Sequence, residues 1–247
     1  MKYKRVLLKF SGEALKEPGG SKNFDRPRME YIAREIQKVL KAFPDIELSL
    51  MPGGGNHGRG SELIQNQGFH RRNSHQIGML YTIVNSLAMS DVLASVLGSI
   101  PEVRVMSAMR VDAAAEPYLP KRAIHHMKHG RLVVFAGGSG LTCFSTDSAA
   151  VNRAAELELD AVLKGTKERG VFDSDPRKNP DARFLSHVTN KEFVKMDLKQ
   201  IFDPPAVTDA GESRIPIHIF NVFEEDNLLK LLSGEVVGTH IFPEIEG

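Results

Sequence analysis

Three short segments carry side chains suited to handling a phosphoryl group. The run "RVLLKF" places Lys9 inside an otherwise apolar stretch and leads directly into Ser11 and Gly12, small residues that let backbone approach a ligand. A second run, "AVLK", ends in the same way on Lys164. Lysines at the carboxyl ends of two buried strands stand where the ligands of open α/β sheets gather, and two ammonium groups there can neutralise a phosphoryl group in flight. The third segment, "FAGGSGLTCFSTDSAA", runs from a strand through a glycine turn into a helix opened by Ser145, Thr146 and Asp147. Free N–H groups at a helix start hold anions. Asp147 needs no function as a helix-opening residue, but an acid between two lysines would hold both in place.

A fourth segment, "MPGGGNHGRG", has five glycines and one cation, Arg59, so its usable chemistry is main-chain N–H groups plus one guanidinium. That is the equipment of a phosphate site. Gly53, Gly55 and Gly58 also satisfy G-x-G-x-x-G, yet the dinucleotide reading fails on context: the segment "RRNSH" further on offers no acid for a ribose and leads into a helix. No Walker P-loop pattern occurs. His125 and His129 share a helix face at i, i+4 spacing, with His126 beside them, but no carboxylate or cysteine completes a zinc set, and Lys121, Arg122 and Lys128 make a solvated basic face the better reading.

These side chains need a scaffold, and the order of elements supplies one. Apolar runs at residues 5–10, 46–51, 103–108, 132–136, 161–164 and 215–221 alternate with helical patterns at 28–43, 78–97 and 148–159. Such alternation argues for a mostly parallel sheet covered by helices. The apolar stripe of 77–97 reads as core, with a subunit contact as the alternative. Residues 172–184 are turn-rich, and "DPPAVTDAGES" at 203–213 reads as a loop because Pro204 and Pro205 stop a helix. A length of 247 residues suits one large α/β domain or two small ones.

Composition narrows the partner. Lys plus Arg total 32 against 31 Asp plus Glu, so the net charge of +1 gives no electrostatic case for nucleic acid or an anionic membrane. A single cysteine, Cys143, excludes an internal disulfide and suits a reducing compartment. The five-residue apolar run near the N-terminus is too short for a signal or a span, so a cytoplasmic location is expected.

Taken in order, the blocks "KRVLLKFSGEAL", "GGGNHGRG", "IGMLYTIVNSLAMSDVL", "FSTDSAAVNRAAEL", "LKGTKERGVFDSDPRKNPDA" and "IPIHIFN" resemble bacterial UMP kinases, within the amino acid kinase superfamily, over nearly the whole chain. The resemblance implies a three-layer α/β/α sandwich around a mostly parallel sheet, the amino acid kinase fold. It implies a single domain over residues 1–247, with an acceptor-binding half at about 1–160 and an ATP-binding half at about 161–247. It further implies transfer from ATP, with Mg²⁺, to the 5′-phosphate of UMP in pyrimidine biosynthesis, in an allosteric hexamer with GTP or UTP as effectors.

Carried over by residue, the resemblance makes Lys9, Asp147, Lys164 and Asp197 catalytic. Gly54, Gly55, Arg59, His75, Ser139 and Thr146 fall on the acceptor side. Lys9, Ser11, Gly12, Gly55, Asn56, Lys164, Thr166, Phe172 and Asp175 fall on the ATP side. The chain departs from the family pattern where His75 replaces a ribose-binding aspartate, where Ser139-Gly140-Leu141 replaces Thr-Gly-Asn, and where Arg169 to Phe172 replaces Asp-Gly-Val-Tyr. The residues after Asp197 also differ. These departures keep open a different phosphate or carboxylate acceptor within the superfamily, or a nucleotide-binding regulator or storage oligomer without turnover.

Overall fold

A computed structural model describes residues 1–58, 63–65, 68–98, 101–174, 179–198 and 200–244. Among them a nine-stranded sheet forms the middle layer. Its strands are β1 (Arg5–Phe10), β2 (Glu47–Pro52), β3 (Val103–Ser107), β4 (Glu116–Pro117), β5 (Leu132–Ala136), β6 (Ala161–Thr166), β9 (His187–Thr189), β10 (Ile217–Asn221) and β11 (Thr239–Phe242). Their order is β4-β3-β5-β2-β1-β6-β10-β11-β9, and every neighbouring pair is parallel except β10 with β11. The short strands β7 (Val171–Phe172) and β8 (Phe184–Leu185) pair separately as an antiparallel ribbon.

Strand alternation decides which helices cover which face. Val6, Leu8 and Phe10 of β1 pack with Leu48, Leu50 and Leu163 beneath α1 (Arg26–Ala42), α2 (Arg71–Leu97) and α7 (Asn227–Ser233). Leu7, Val133, Phe135 and Val162 face the other way, against α3 (Pro120–Lys128), α4 (Thr146–Glu156), α5 (Asn190–Lys195) and α6 (Pro204–Glu212). Two apolar cores thus sandwich the sheet, as the three-layer expectation requires.

The structure corrects one element. Residues 203–213 are not a loop: α6 fills Pro204–Glu212, with the prolines in its first turn and Asp203 at the N-cap. A proline there loses no helical hydrogen bond, because the first N–H groups of a helix have no partner in it anyway. The helix expected at 78–97 starts earlier, at Arg71. By length and composition α2 is the one described helix able to cross a membrane. Here it lies over the sheet and packs against α1, β3 and β5.

Candidate active site

The alternation that builds the two cores also builds the site. Lys9 shares a sheet face with Leu7, and Lys164 shares it with Val162, so both lysines point towards α4. They are register partners across β1 and β6, which sets them side by side at the carboxyl end of the sheet. Asp147 occupies the first turn of α4, whose N-cap Ser145 accepts a hydrogen bond from the Ser148 N–H. It comes down between the two ammonium groups. Lys9 Nζ lies 2.5 Å from Asp147 Oδ1, and Lys164 Nζ lies 2.8 Å from Oδ2.

All three side chains are buried, with relative exposures of 6, 8 and 7% for Lys9, Asp147 and Lys164. Burial by itself would raise the Asp147 pKa; the charges of Lys164 and Lys9 outweigh it and hold the carboxyl well below the usual range. For Lys164, burial and then the repulsion of Lys9 outweigh the pull of Asp147, bringing its ammonium down to about 8. Two cations share one anion. The excess buried positive charge is a standing demand for an anionic ligand.

A cleft of about 910 Å³ opens over this cluster. Of the residues expected at a site from sequence, Lys9, Ser11, Gly12, Gly54, Gly55, His75, Thr146, Asp147, Lys164, Thr166 and Phe172 line it. The glycine loop following β2 lies against Gly12, where an added Cβ would come within 2.6 Å of the Gly55 nitrogen and 2.7 Å of the Gly53 oxygen. A side chain at Gly12 would therefore push on backbone that has little room to give. His75 faces Cys143, with Nε2 3.9 Å from Sγ, and both line the cleft, as does Phe172 of the ribbon.

Other expected residues stand elsewhere. Arg59 and Asp175 lie outside the described residues. Asn56 is buried behind the loop, hydrogen-bonded to Asn23 and Asn85, and is not among the cleft-lining residues. Ser139 is not among them either; its hydroxyl accepts from the Leu141 N–H. Asp197 is exposed, with a left-handed φ of 50°, and the structure does not bring it to the lysine cluster. The chain turns there, and further along Asp203 reaches the cleft: its N–H donates to Asp147 Oδ2 and its carboxylate accepts from the Ser148 hydroxyl. The signal for Asp203 was "DPP", an N-cap followed by first-turn prolines.

The arrangement suits phosphate chemistry. Glycine amides, a helix N-terminus and two lysines converge on one cleft, and the described residues contain no group of three His, Cys, Asp or Glu able to hold a metal ion. Both oxygens of Asp147 are engaged by the two lysines, so this carboxylate is committed to ordering them.

Comparison with known proteins agrees. The amino acid kinase family matches residues 4–221. The uridylate kinase of Oenococcus oeni is 40% identical over 98% of this chain and 97% of its own length. The chloroplastic uridylate kinase PUMPKIN of Arabidopsis thaliana is 42% identical over 98% of this chain and 69% of its own length. A crystal structure of UMP kinase from Bacillus anthracis superposes with a TM-score of 0.92 at 38% identity, covering 99% of this chain and 98% of that one. With its sheet order, its lysine–aspartate cluster and near full-length likeness in accord, the chain belongs to the amino acid kinase family, among the uridylate kinases.

Proposed function

We propose that the protein transfers the γ-phosphoryl group of ATP to the 5′-phosphate of UMP, giving UDP and ADP. The observation that carries this is the buried Lys9–Asp147–Lys164 cluster, one positive charge in excess, at the floor of a glycine-lined cleft. An oxygen of the UMP phosphate forms the new bond to the γ-phosphorus while the bond to the β–γ bridging oxygen breaks, its electrons leaving with ADP. The acceptor is already an anion at neutral pH, so no strong base is required; positioning and charge neutralisation suffice. A magnesium ion brought in with ATP would neutralise part of the charge on the donor phosphates.

Lys9 and Lys164 stabilise the charge on the moving group, and Asp147 fixes both ammonium groups. Gly54, Gly55, Thr146 and His75 serve the acceptor, joined by Arg59; the Ser139 hydroxyl is turned to Leu141 and stands outside the cleft lining. Ser11, Gly12, Thr166 and Phe172 serve the donor, joined by Asp175. Asp203 takes over the place at the catalytic cluster that the resemblance gave to Asp197. The acceptor side draws on residues before about 160 and the donor side mainly on those after it. Exposed Leu80 and Val84 on α2 support assembly into a homo-oligomer, hexameric by the resemblance and open to GTP or UTP as effectors. A cytoplasmic location accords with the free thiol of Cys143.

Replacing Asp147 by Asn tests the proposal. The amide keeps the size but removes the charge that orders two lysines, so kcat should fall about 10²-fold or more while Mg-ATP still binds. A variant with parental kcat would refute the assigned role.

A further inference from the structure

Helix α2 buries polar side chains that the transfer cluster does not use. Thr82, Asn85 and Ser86 are 4, 0 and 0% exposed on a helix otherwise rich in apolar residues. Buried amides and hydroxyls are costly unless their hydrogen bonds are met, so the partners reveal what they are for. The Asn85 amide donates to the Gly53 carbonyl at 2.5 Å and to Asn56 Oδ1 at 2.6 Å. Its Oδ1 accepts from Asn56 Nδ2 at 3.1 Å and from His57 Nε2 at 3.0 Å. All four hydrogen-bonding positions of the side chain are occupied, three of the four contacts by side chains of the glycine loop and one by its backbone.

The chemistry fixes how Asn85 is oriented in this knot. The Gly53 carbonyl can only accept, so the Asn85 NH₂ must face it and Oδ1 must face His57. His57 Nε2 therefore carries a proton, and its Nδ1 lies 3.2 Å from Asn23 Nδ2. Asn56 Nδ2 also donates to the Asn23 carbonyl at 2.8 Å. The imidazole is held by packing as well: it stacks on Tyr81 with centroids 5.2 Å apart and meets the edge of Phe24 at 5.2 Å. Neither His57 nor Asn85 is among the cleft-lining residues. One turn earlier on the same helix, Thr82 Oγ1 accepts from the Gly137 N–H at 2.9 Å, so α2 grips the second glycine turn too.

We propose that Asn85 and His57 are positioning residues for phosphoryl transfer, bracing from behind the glycine loop whose front, at Gly54 and Gly55, lines the cleft. A loop whose amides must meet a phosphoryl group in flight gains rate only if it is already in place, since small misplacements are costly. The brace sets the position of the loop, and neither of its two residues lines the cleft, so its loss should cost turnover more than affinity.

The inference rests on the kinase reading, and the test separates the two. His57→Phe keeps a ring against Tyr81 and Phe24 but removes both nitrogens. In steady-state assays with Mg-ATP and UMP, kcat should fall about tenfold, with both KM values within about twofold and the thermal midpoint within about 4 °C of the parent. His57→Gln, whose amide restores a donor and an acceptor, should regain much of the lost rate. Asn85→Asp, which retains the acceptor oxygen for His57 but loses the NH₂ to Gly53, should show the same split of kcat from KM. Parental kcat in His57→Phe and Asn85→Asp, with an active parent chain, would overturn the brace alone. An inactive parent would remove the kinase reading and the brace with it.

Discussion

Lys164 is the residue whose chemistry is most open to measurement. Its ammonium is brought down to about 8, so it is largely charged at neutral pH and loses its proton as pH rises through that value. Since the charged form is the one that meets phosphate, kcat/KM for Mg-ATP should decline above about pH 8, and this profile reports the free enzyme. Lys164→Arg, which stays cationic throughout, should lower the absolute rate but flatten the alkaline limb. An unchanged limb in the variant would assign it to another group. Lys9, Asp147 and Lys164 were legible in the sequence because a lysine ending an apolar run and an acid opening a helix violate the surrounding pattern. Asn85 was not legible: inside a stretch as apolar as α2 an asparagine gives no hint of its partners until the glycine loop folds onto it.

At the scale of elements, the six central strands and three of the helices were legible through their periodicity. The strands β4, β7, β8 and β9 are two or three residues long, too short for any period to register, and their pairing is decided by tertiary contacts. Helix α6 was missed for a different reason. Its prolines were weighed as breakers when their position at the helix start makes them permissive, and the same misjudgement hid Asp203.

The sheet edge makes a separate prediction. His218 on β10 stacks on His240 of β11 at 4.3 Å and hydrogen-bonds the Tyr3 hydroxyl, with His187 of β9 and Lys2 nearby. Burial first, then neighbouring charge, brings His218 to about 3 and His240 to about 4. An unfolded histidine takes a proton near 6.5, so the native state binds fewer protons below that pH and stability is lost as pH falls from about 6.5 towards 4. His240→Phe should therefore lose less thermal stability than the parent over that interval. Equal losses in the two chains would place the acid sensitivity elsewhere.

For the whole molecule, the central point is that one sheet brings distant segments to a single edge. Lys9 lies near the carboxyl end of one strand, the glycine loop follows another, Thr146 and Asp147 open the helix beyond a third, and Lys164 lies in the carboxyl half of a fourth. Acceptor identity is the property least legible from sequence, because His75 and the segment 139–141 depart from the family pattern at the acceptor wall while the transfer cluster is intact. The most direct measurement is ADP production by the purified chain with Mg-ATP against UMP, CMP, AMP, GMP and dUMP, with and without GTP. Turnover selective for UMP is the predicted result. No turnover with any of the five, in a protein that still binds Mg-ATP, would contradict the assignment.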